Sequence, residues 1–216
     1  MANGPRMAER GAGRFLVLDG PDGCGKSTQA ARLAEWLATC PARGGREVVH
    51  VRDPGATRVG EKVREILLDR AHEELAPITE SLLFMAARAQ LIAERIRPDL
   101  ERGAIVVCER WLTSTVCYQG YAGGIDPDAI WSMGEYASGG MSPHLTLILD
   151  VEAETGLARV GADPDGFESR SLSFHEAVRA GYRRIAEEGR LNSRLIPPGT
   201  PDEVESAIRE AVLDVL

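Results

Sequence analysis

Lys26 and Ser27 fall within the stretch Gly20-Pro21-Asp22-Gly23-Cys24-Gly25-Lys26-Ser27-Thr28, whose residue types and spacing suit phosphate chemistry. The pattern is G-x-x-x-x-G-K-[ST], which has this meaning between a strand and a helix. Both flanks are present: Phe15-Leu16-Val17-Leu18-Asp19 reads as a buried strand, and Leu33, Trp36 and Leu37 share one side of a helix over 29–37. The glycines let successive main-chain N–H groups turn inward around phosphate oxygens, and the helix start adds partial positive charge. Lys26 is placed to reach the β and γ phosphates of a nucleoside triphosphate, and Ser27 to give its hydroxyl to Mg²⁺. The plain alternative is a glycine-rich turn before an ordinary helix. With Gly at about 7% of residues, a chance match somewhere in such a chain arises about once in a hundred.

A second group of candidates is cationic. Arg52, Arg64, Arg88 and Arg110 cluster near predicted strand ends, although each alone reads as a solvated surface arginine. Phe84 and Arg88 are four apart and share a helix face. They could be a core aromatic with a snorkelling neighbour, or a ring that stacks a base beside a guanidinium for its edge carbonyl.

The elements that must position these residues alternate between strand and helix. After the breaker cluster at 41–45 comes a strand over 47–51, then a loop at 52–57. A helix over 58–68 follows, with Val59, Val63, Ile66 and Leu67 as its buried stripe. A longer helix covers 78–94 and continues with a bend near Pro98; Leu82, Leu83, Phe84, Ala87 and Leu91 suggest deep burial. Strands over 104–108 and 145–150 bracket short helical pieces within 114–118 and 127–137. Helices over 153–159 and 172–188 surround a polar loop at 161–169, and a strand at 193–196 and a helix over 202–215 end the chain. Such alternation predicts an α/β sandwich with a parallel sheet, whose ligands bind beyond the carboxyl ends of the strands. The loops at 20–27, 52–57 and 109–119 all leave from that edge.

Composition narrows the partners. A chain of 216 residues is most simply one domain, and its net charge of −8 argues against gripping a nucleic-acid polymer. A small anion needs only a few arginines aimed at one point. No apolar run approaches the ~20 residues of a membrane span. Residues 1–13 lack the apolar core of a signal peptide and are expected to be a flexible tail, with Met7 an equally good start. Cys24, Cys40, Cys108 and Cys117 form no C-x-x-C pair, which points to reduced thiols and a cytoplasmic protein.

Four segments together resemble bacterial thymidylate kinase in order and spacing. They are Asp22 to Thr28, Arg52-Asp53-Pro54-Gly55-Ala56-Thr57, Leu83-Phe84-Met85-Ala86-Ala87-Arg88, and Glu109-Arg110-Trp111 with Ser114 and Tyr118-Gln119-Gly120. The resemblance runs from Arg14 almost to the end, through Leu145 to Val151 and Val178-Arg179-Ala180-Gly181-Tyr182. It implies a P-loop NTPase-type sandwich of about five parallel strands with helices on both faces. It also implies one nucleoside monophosphate kinase domain over 14–216 with a short lid around 160–170, usually as a homodimer. The implied reaction moves the γ-phosphoryl of Mg-ATP onto dTMP, giving dTDP. Carried over by position, Phe84 stacks thymine, Arg88 donates to its carbonyl edge, and Gln119 with Thr115 reads the rest of the pyrimidine. Asp22 meets the sugar 3′-hydroxyl, and Arg110 and Arg64, with Arg52 as a third, hold the monophosphate beside Asp53. Glu109 lies near the metal's water shell or the acceptor oxygen.

Three departures from the family pattern stand out. Asp53 and Ala56 replace the usual Glu and second Gly. Glu109 replaces an Asp, a longer carboxylate that must pull back to reach the same point. The lid core reads Asp165-Gly166-Phe167-Glu168, with Gly166 in place of arginine, and the phosphate loop has no arginine either. Arg159 or Arg170 could substitute, with Arg170 slightly ahead because it flanks the same loop. Two alternatives therefore stay open: a kinase for another pyrimidine deoxynucleoside monophosphate, and a nucleotide-binding homologue with low turnover.

Overall fold

The computed structural model describes residues 13–69, 75–160 and 165–216. The expected tail, apart from Gly13, and positions 161–164 of the expected lid lie outside the described residues. Five strands, β1 (Arg14–Asp19), β2 (Val48–Arg52), β3 (Ile105–Glu109), β4 (Leu145–Leu149) and β5 (Ser193–Ile196), form one parallel sheet ordered β2-β3-β1-β4-β5. From central β1 the chain moves out to the edge at β2, back in to β3, and across β1 to β4. That reversal beside β1 opens a crevice at the carboxyl ends of the strands.

The helices are α1 (Lys26–Thr39), α2 (Arg58–Leu68), α3 (Pro77–Leu91), α4 (Arg97–Glu101), α5 (Leu112–Thr115), α6 (Pro127–Ser138), α7 (Ala153–Arg159), α8 (Leu172–Glu187) and α9 (Pro201–Leu213). Strand alternation divides the core into two layers. Phe15, Val17, Val106 and Cys108 pack toward the side of α2, α3, α6 and α8. Leu16, Leu18, Ile105 and Val107 pack toward α1 and α9. Burial on both faces explains the near-continuous apolar runs of β1, β3 and β4. All four cysteines are free thiols.

Caps fix where the site-bearing loops end. Thr57 Oγ1 accepts the Gly60 N–H at 2.9 Å and starts α2, which terminates the 52–57 loop. Two helical expectations need correction. In α2, Val63 and Leu67 are buried, but Val59 and Ile66 are 44% and 38% exposed, because they flank the buried line on a side this chain leaves open. In α3, Leu82 is exposed and Phe84 only half-buried, whereas Glu80 and Arg88 are buried, because this helix borders a cavity as well as the core. Before Pro98 the helix passes through a π-helical stretch, Ile92–Ile96, which accommodates the hydrogen bond that proline cannot donate.

Candidate active site

The phosphate loop joins β1 to α1. Gly23 has φ 69°, and a Cβ there would lie 2.0 Å from the Gly156 carbonyl oxygen, so α7 rests directly on the loop backbone. Lys26 is buried, and its Nζ donates to the carbonyl oxygens of Gly20 at 2.9 Å and Pro21 at 2.6 Å. Gly20 and Pro21, with Cys24 Sγ at 3.6 Å, thus brace the ammonium group, while Asp22, Gly23, Gly25, Ser27 and Thr28 line the cavity. An anionic oxygen entering the loop could exchange these neutral contacts for charge-assisted ones.

At the first turn of α1, Ser27 Oγ donates to Glu109 Oε2 at 2.6 Å. The other carboxylate oxygen, Oε1, lies 2.7 Å from His50 Nε2. Burial alone would push the Glu109 carboxyl up, but the His50 and Ser27 bonds, with the Lys26 charge, bring it below its ordinary range. Among the described residues no cluster of three or more His, Cys, Asp or Glu side chains forms a metal cage. One hydroxyl and one carboxylate are oxygen donors of the kind Mg²⁺ takes when nucleotide phosphates complete its shell, so the residues present fit that ion.

Across the crevice stand three guanidinium groups. Arg110 has φ 63°, a left-handed conformation that costs on the order of 1 kcal/mol, and its N–H donates to Leu18 O at 2.9 Å. Fully buried Asp19 pins the turn that carries it, accepting from Ser114 N at 3.0 Å, Ser114 Oγ at 2.6 Å, Trp111 N at 3.2 Å and Tyr182 OH at 2.6 Å, and also from Thr113 Oγ1. Arg110 pairs with Asp22, whose second oxygen accepts from Tyr118 OH at 2.6 Å. Burial pushes the Asp22 carboxyl up, but Arg110, Lys26 and the Tyr118 bond outweigh it and lower the pKa to about 2. Arg52 pairs with Glu61 at 2.9 Å. Arg64 has no carboxylate in ion-pair range among the described residues; burial, then Arg52 and Arg110, depress its pKa. Such like-charge crowding suits an incoming dianion.

The far end of the cavity is built around Arg88. Its guanidinium is buried over the Trp111 ring, donating from Nε to Asp53 Oδ2 at 2.6 Å, from one terminal nitrogen to Thr115 Oγ1 at 3.0 Å, and from the other to Met85 Sδ at 3.3 Å. Three of five N–H donors are so occupied, and two remain. Gln119 donates from Nε2 to Glu80 Oε2 at 3.2 Å, while its buried Oε1 has no partner. The Phe84 ring lies 6.0 Å from that of Phe167, which comes from the segment after the lid's undescribed positions. Arg170 stacks on Phe167 and Phe174 and pairs with Glu80 at 2.9 Å, whereas an Arg159 terminal nitrogen lies 3.4 Å from Gly23 O in the phosphate loop.

One cleft of about 500 Å³ thus gathers the loop, Arg52, Asp53, Arg64, Phe84, Arg88, Glu109, Arg110, Thr115 and Gln119. Sequence reasoning missed Asp19 and Tyr118 as organisers, and His50, Glu80 and Phe167 as neighbours of the site. Tyr118, at the edge of a quoted segment, carried the nearest thing to a signal.

A parallel sheet in this order, with a phosphate loop on its central strand and guanidinium groups facing it, defines a P-loop phosphotransferase. Comparison with known proteins narrows the class. The thymidylate kinase family profile matches residues 18–206. A thymidylate kinase from an Exiguobacterium species is 40% identical over 205 residues, covering 94% of this chain and 93% of that protein. One from Roseiflexus castenholzii is 44% identical over 186 residues, covering 79% of this chain and 80% of that protein. The crystal structure of thymidylate kinase from Ehrlichia chaffeensis superposes with a TM-score of 0.76 at 29% identity, covering 93% of this chain and 99% of that one. The chain belongs to the thymidylate kinase family.

Proposed function

We propose that this cleft aligns ATP and dTMP end to end, the donor on the phosphate loop and the acceptor under the arginines. The chain is an ATP:dTMP phosphotransferase, making dTDP from dTMP in nucleotide biosynthesis. The observation that carries the site reading is the common cleft in which Lys26 faces Arg52, Arg64 and Arg110, with Phe84 and Arg88 beyond them. Reaction asks the protein mainly to position two anions and neutralise charge on the moving group. Lys26 trades its carbonyl contacts for β and γ oxygens. Arg110 and Arg64, with Arg52, grip the dTMP phosphate, one oxygen of which attacks the γ phosphorus as the bond to ADP breaks.

Phe84 stacks the thymine ring, and the two free Arg88 N–H groups meet its carbonyl edge. Asp53 acts by fixing Arg88, and Thr115 and Gln119 read the remaining edge. Asp22 keeps lone pairs free for the sugar 3′-hydroxyl, which suits a deoxynucleoside. Ser27, with Glu109 alongside, would hold Mg²⁺, which when bound would supply neutralisation of phosphate charge. Arg159, beside the phosphate loop, takes the place of the missing lid arginine, because Arg170 is held by Glu80. Residues 14–216 work as one domain, in the cytoplasm, as a homodimer. The support for the dimer is apolar surface on neighbouring α2 and α3, where Val59, Ile66, Ile78 and Leu82 are exposed. No helix of the described residues is long and apolar enough to cross a membrane.

Lys26→Ala tests the donor half. Its kcat should fall by about 10²–10³ or more, the usual loss for one preorganised electrostatic group, while calorimetric dTMP affinity stays within a few-fold. Full activity would remove Lys26 from the mechanism.

A further inference from the structure

The histidine end of the His50–Glu109–Ser27 chain has no role in the account so far. β2 and β3 pair in register, His50 opposite Val107 and Arg52 opposite Glu109. Val49 and Val51 pack into one core layer and Val48 and Val107 into the other, so alternation puts His50 and Glu109 together on the sheet face that α1 covers. Ser27 lies at the start of that helix. The His50 side chain is 32% exposed, and its Nε2 lies 2.7 Å from Glu109 Oε1. Ser27 Oγ donates to Oε2 of the same carboxylate at 2.6 Å. A carboxylate only accepts, so Nε2 carries a hydrogen and both glutamate oxygens are held.

Glutamate has one more torsion than aspartate, and a longer carboxylate at the end of β3 can swing away from α1 unless something restrains it. We propose that His50 is the positioning residue that adapts Glu109 to the metal. It holds Oε1, so that Oε2 takes the Ser27 hydroxyl hydrogen and leaves the serine oxygen's lone pairs turned toward the Mg²⁺ of the bound nucleotide. Outer partners of this kind orient the groups that touch a metal, and losing one typically weakens metal affinity about 10-fold or more. The inference rests on the reading that Ser27 and Glu109 flank that ion.

Mn²⁺ provides a spectroscopic probe. Free Mn²⁺ is titrated by electron paramagnetic resonance in the presence of enzyme and ADP, and ADP affinity is measured separately with the metal chelated. His50→Leu should weaken Mn²⁺ binding to the enzyme–ADP complex about 10-fold and leave metal-free ADP affinity within about two-fold. In a Glu109→Asp background the same change should have no effect, because the shorter carboxylate does not reach the imidazole. Should His50→Leu not fold, His50→Asn, too short to reach Oε1, is read with the same expectations. Unchanged Mn²⁺ affinity with Glu109 present, or an equal loss in the Glu109→Asp background, overturns the proposal. Glu109→Ala and Ser27→Ala separate the two levels. If they weaken Mn²⁺ binding and His50→Leu does not, only the histidine's role fails; if they too leave it unchanged, the metal reading itself fails.

Discussion

Asp22 belongs to the phosphate loop, yet its carboxylate is held by Arg110 and Tyr118 from across the cleft, so it ties the loop to the opposite wall. Its folded-state pKa of about 2 lies below the ordinary 3.8. A depressed carboxyl stabilises the fold above the unfolded-state value and loses that contribution as pH falls through the folded one. The gap corresponds to about 2 kcal/mol, present at pH 5 and mostly gone near pH 2. The stability difference between the native chain and Asp22→Asn, from urea titrations, should therefore shrink by about 2 kcal/mol between those pH values; a constant difference would contradict it. Asp22 was legible because phosphate binding fixes residue types and spacing within nine consecutive positions. Its tie to Tyr118, and the bonds that seat neighbouring Asp19, were not. Tyr118 is 96 residues away, and the bond from Tyr182 to Asp19 spans 163, distances at which no local pattern operates.

The loop between β2 and α2 carries Arg52 and Asp53 into the site on a strained turn. Ala56 sits at φ 57°, where L-residues pay on the order of 1–2 kcal/mol and glycine does not. Glu61 Oε1 accepts the Ala56 N–H at 2.8 Å and holds the turn in place. Ala56→Gly should raise stability by about 0.5–1 kcal/mol, the relief of strain less the greater freedom of glycine in the unfolded chain, read as a higher Tm. A lower Tm would mean that the turn is not strained at this residue. Elements buried on both faces, such as β3 and β4, were legible as apolar runs. Helical periodicity was less decisive: it marked Val59 and Ile66 along with Val63 and Leu67 in α2, because spacing groups apolar residues without saying whether the core or an open surface receives them. In α3 it set Arg88 on one face with Phe84 but did not mark Glu80, a charged residue buried on the same helix.

At the scale of the molecule, the parallel direction of the strands brings all three site-bearing loops to one end of the sheet, and alternation of strand and helix made that arrangement legible. The order itself was not, since it depends on which strands meet across long connections. The open faces of α2 and α3 carry Ile66, Ile78 and Leu82 at 38%, 47% and 54% exposure, a surface suited to a second copy of the chain. Leu82→Glu with Ile66→Glu should convert a dimer to monomers in sedimentation velocity; a native chain that is already monomeric would contradict the dimer. The proposed acceptor pocket depends on thymine stacking on Phe84 with its carbonyl edge at Arg88. The most direct check is ADP release with dTMP, dUMP, dCMP and dGMP, run on the native chain and on Arg88→Ala. The native chain should prefer dTMP, and Arg88→Ala should lower kcat/KM for dTMP by about 5–150-fold, the equivalent of about 1–3 kcal/mol for a lost buried polar contact. Preference for another monophosphate, or an Arg88→Ala enzyme as efficient as the native one, would contradict it.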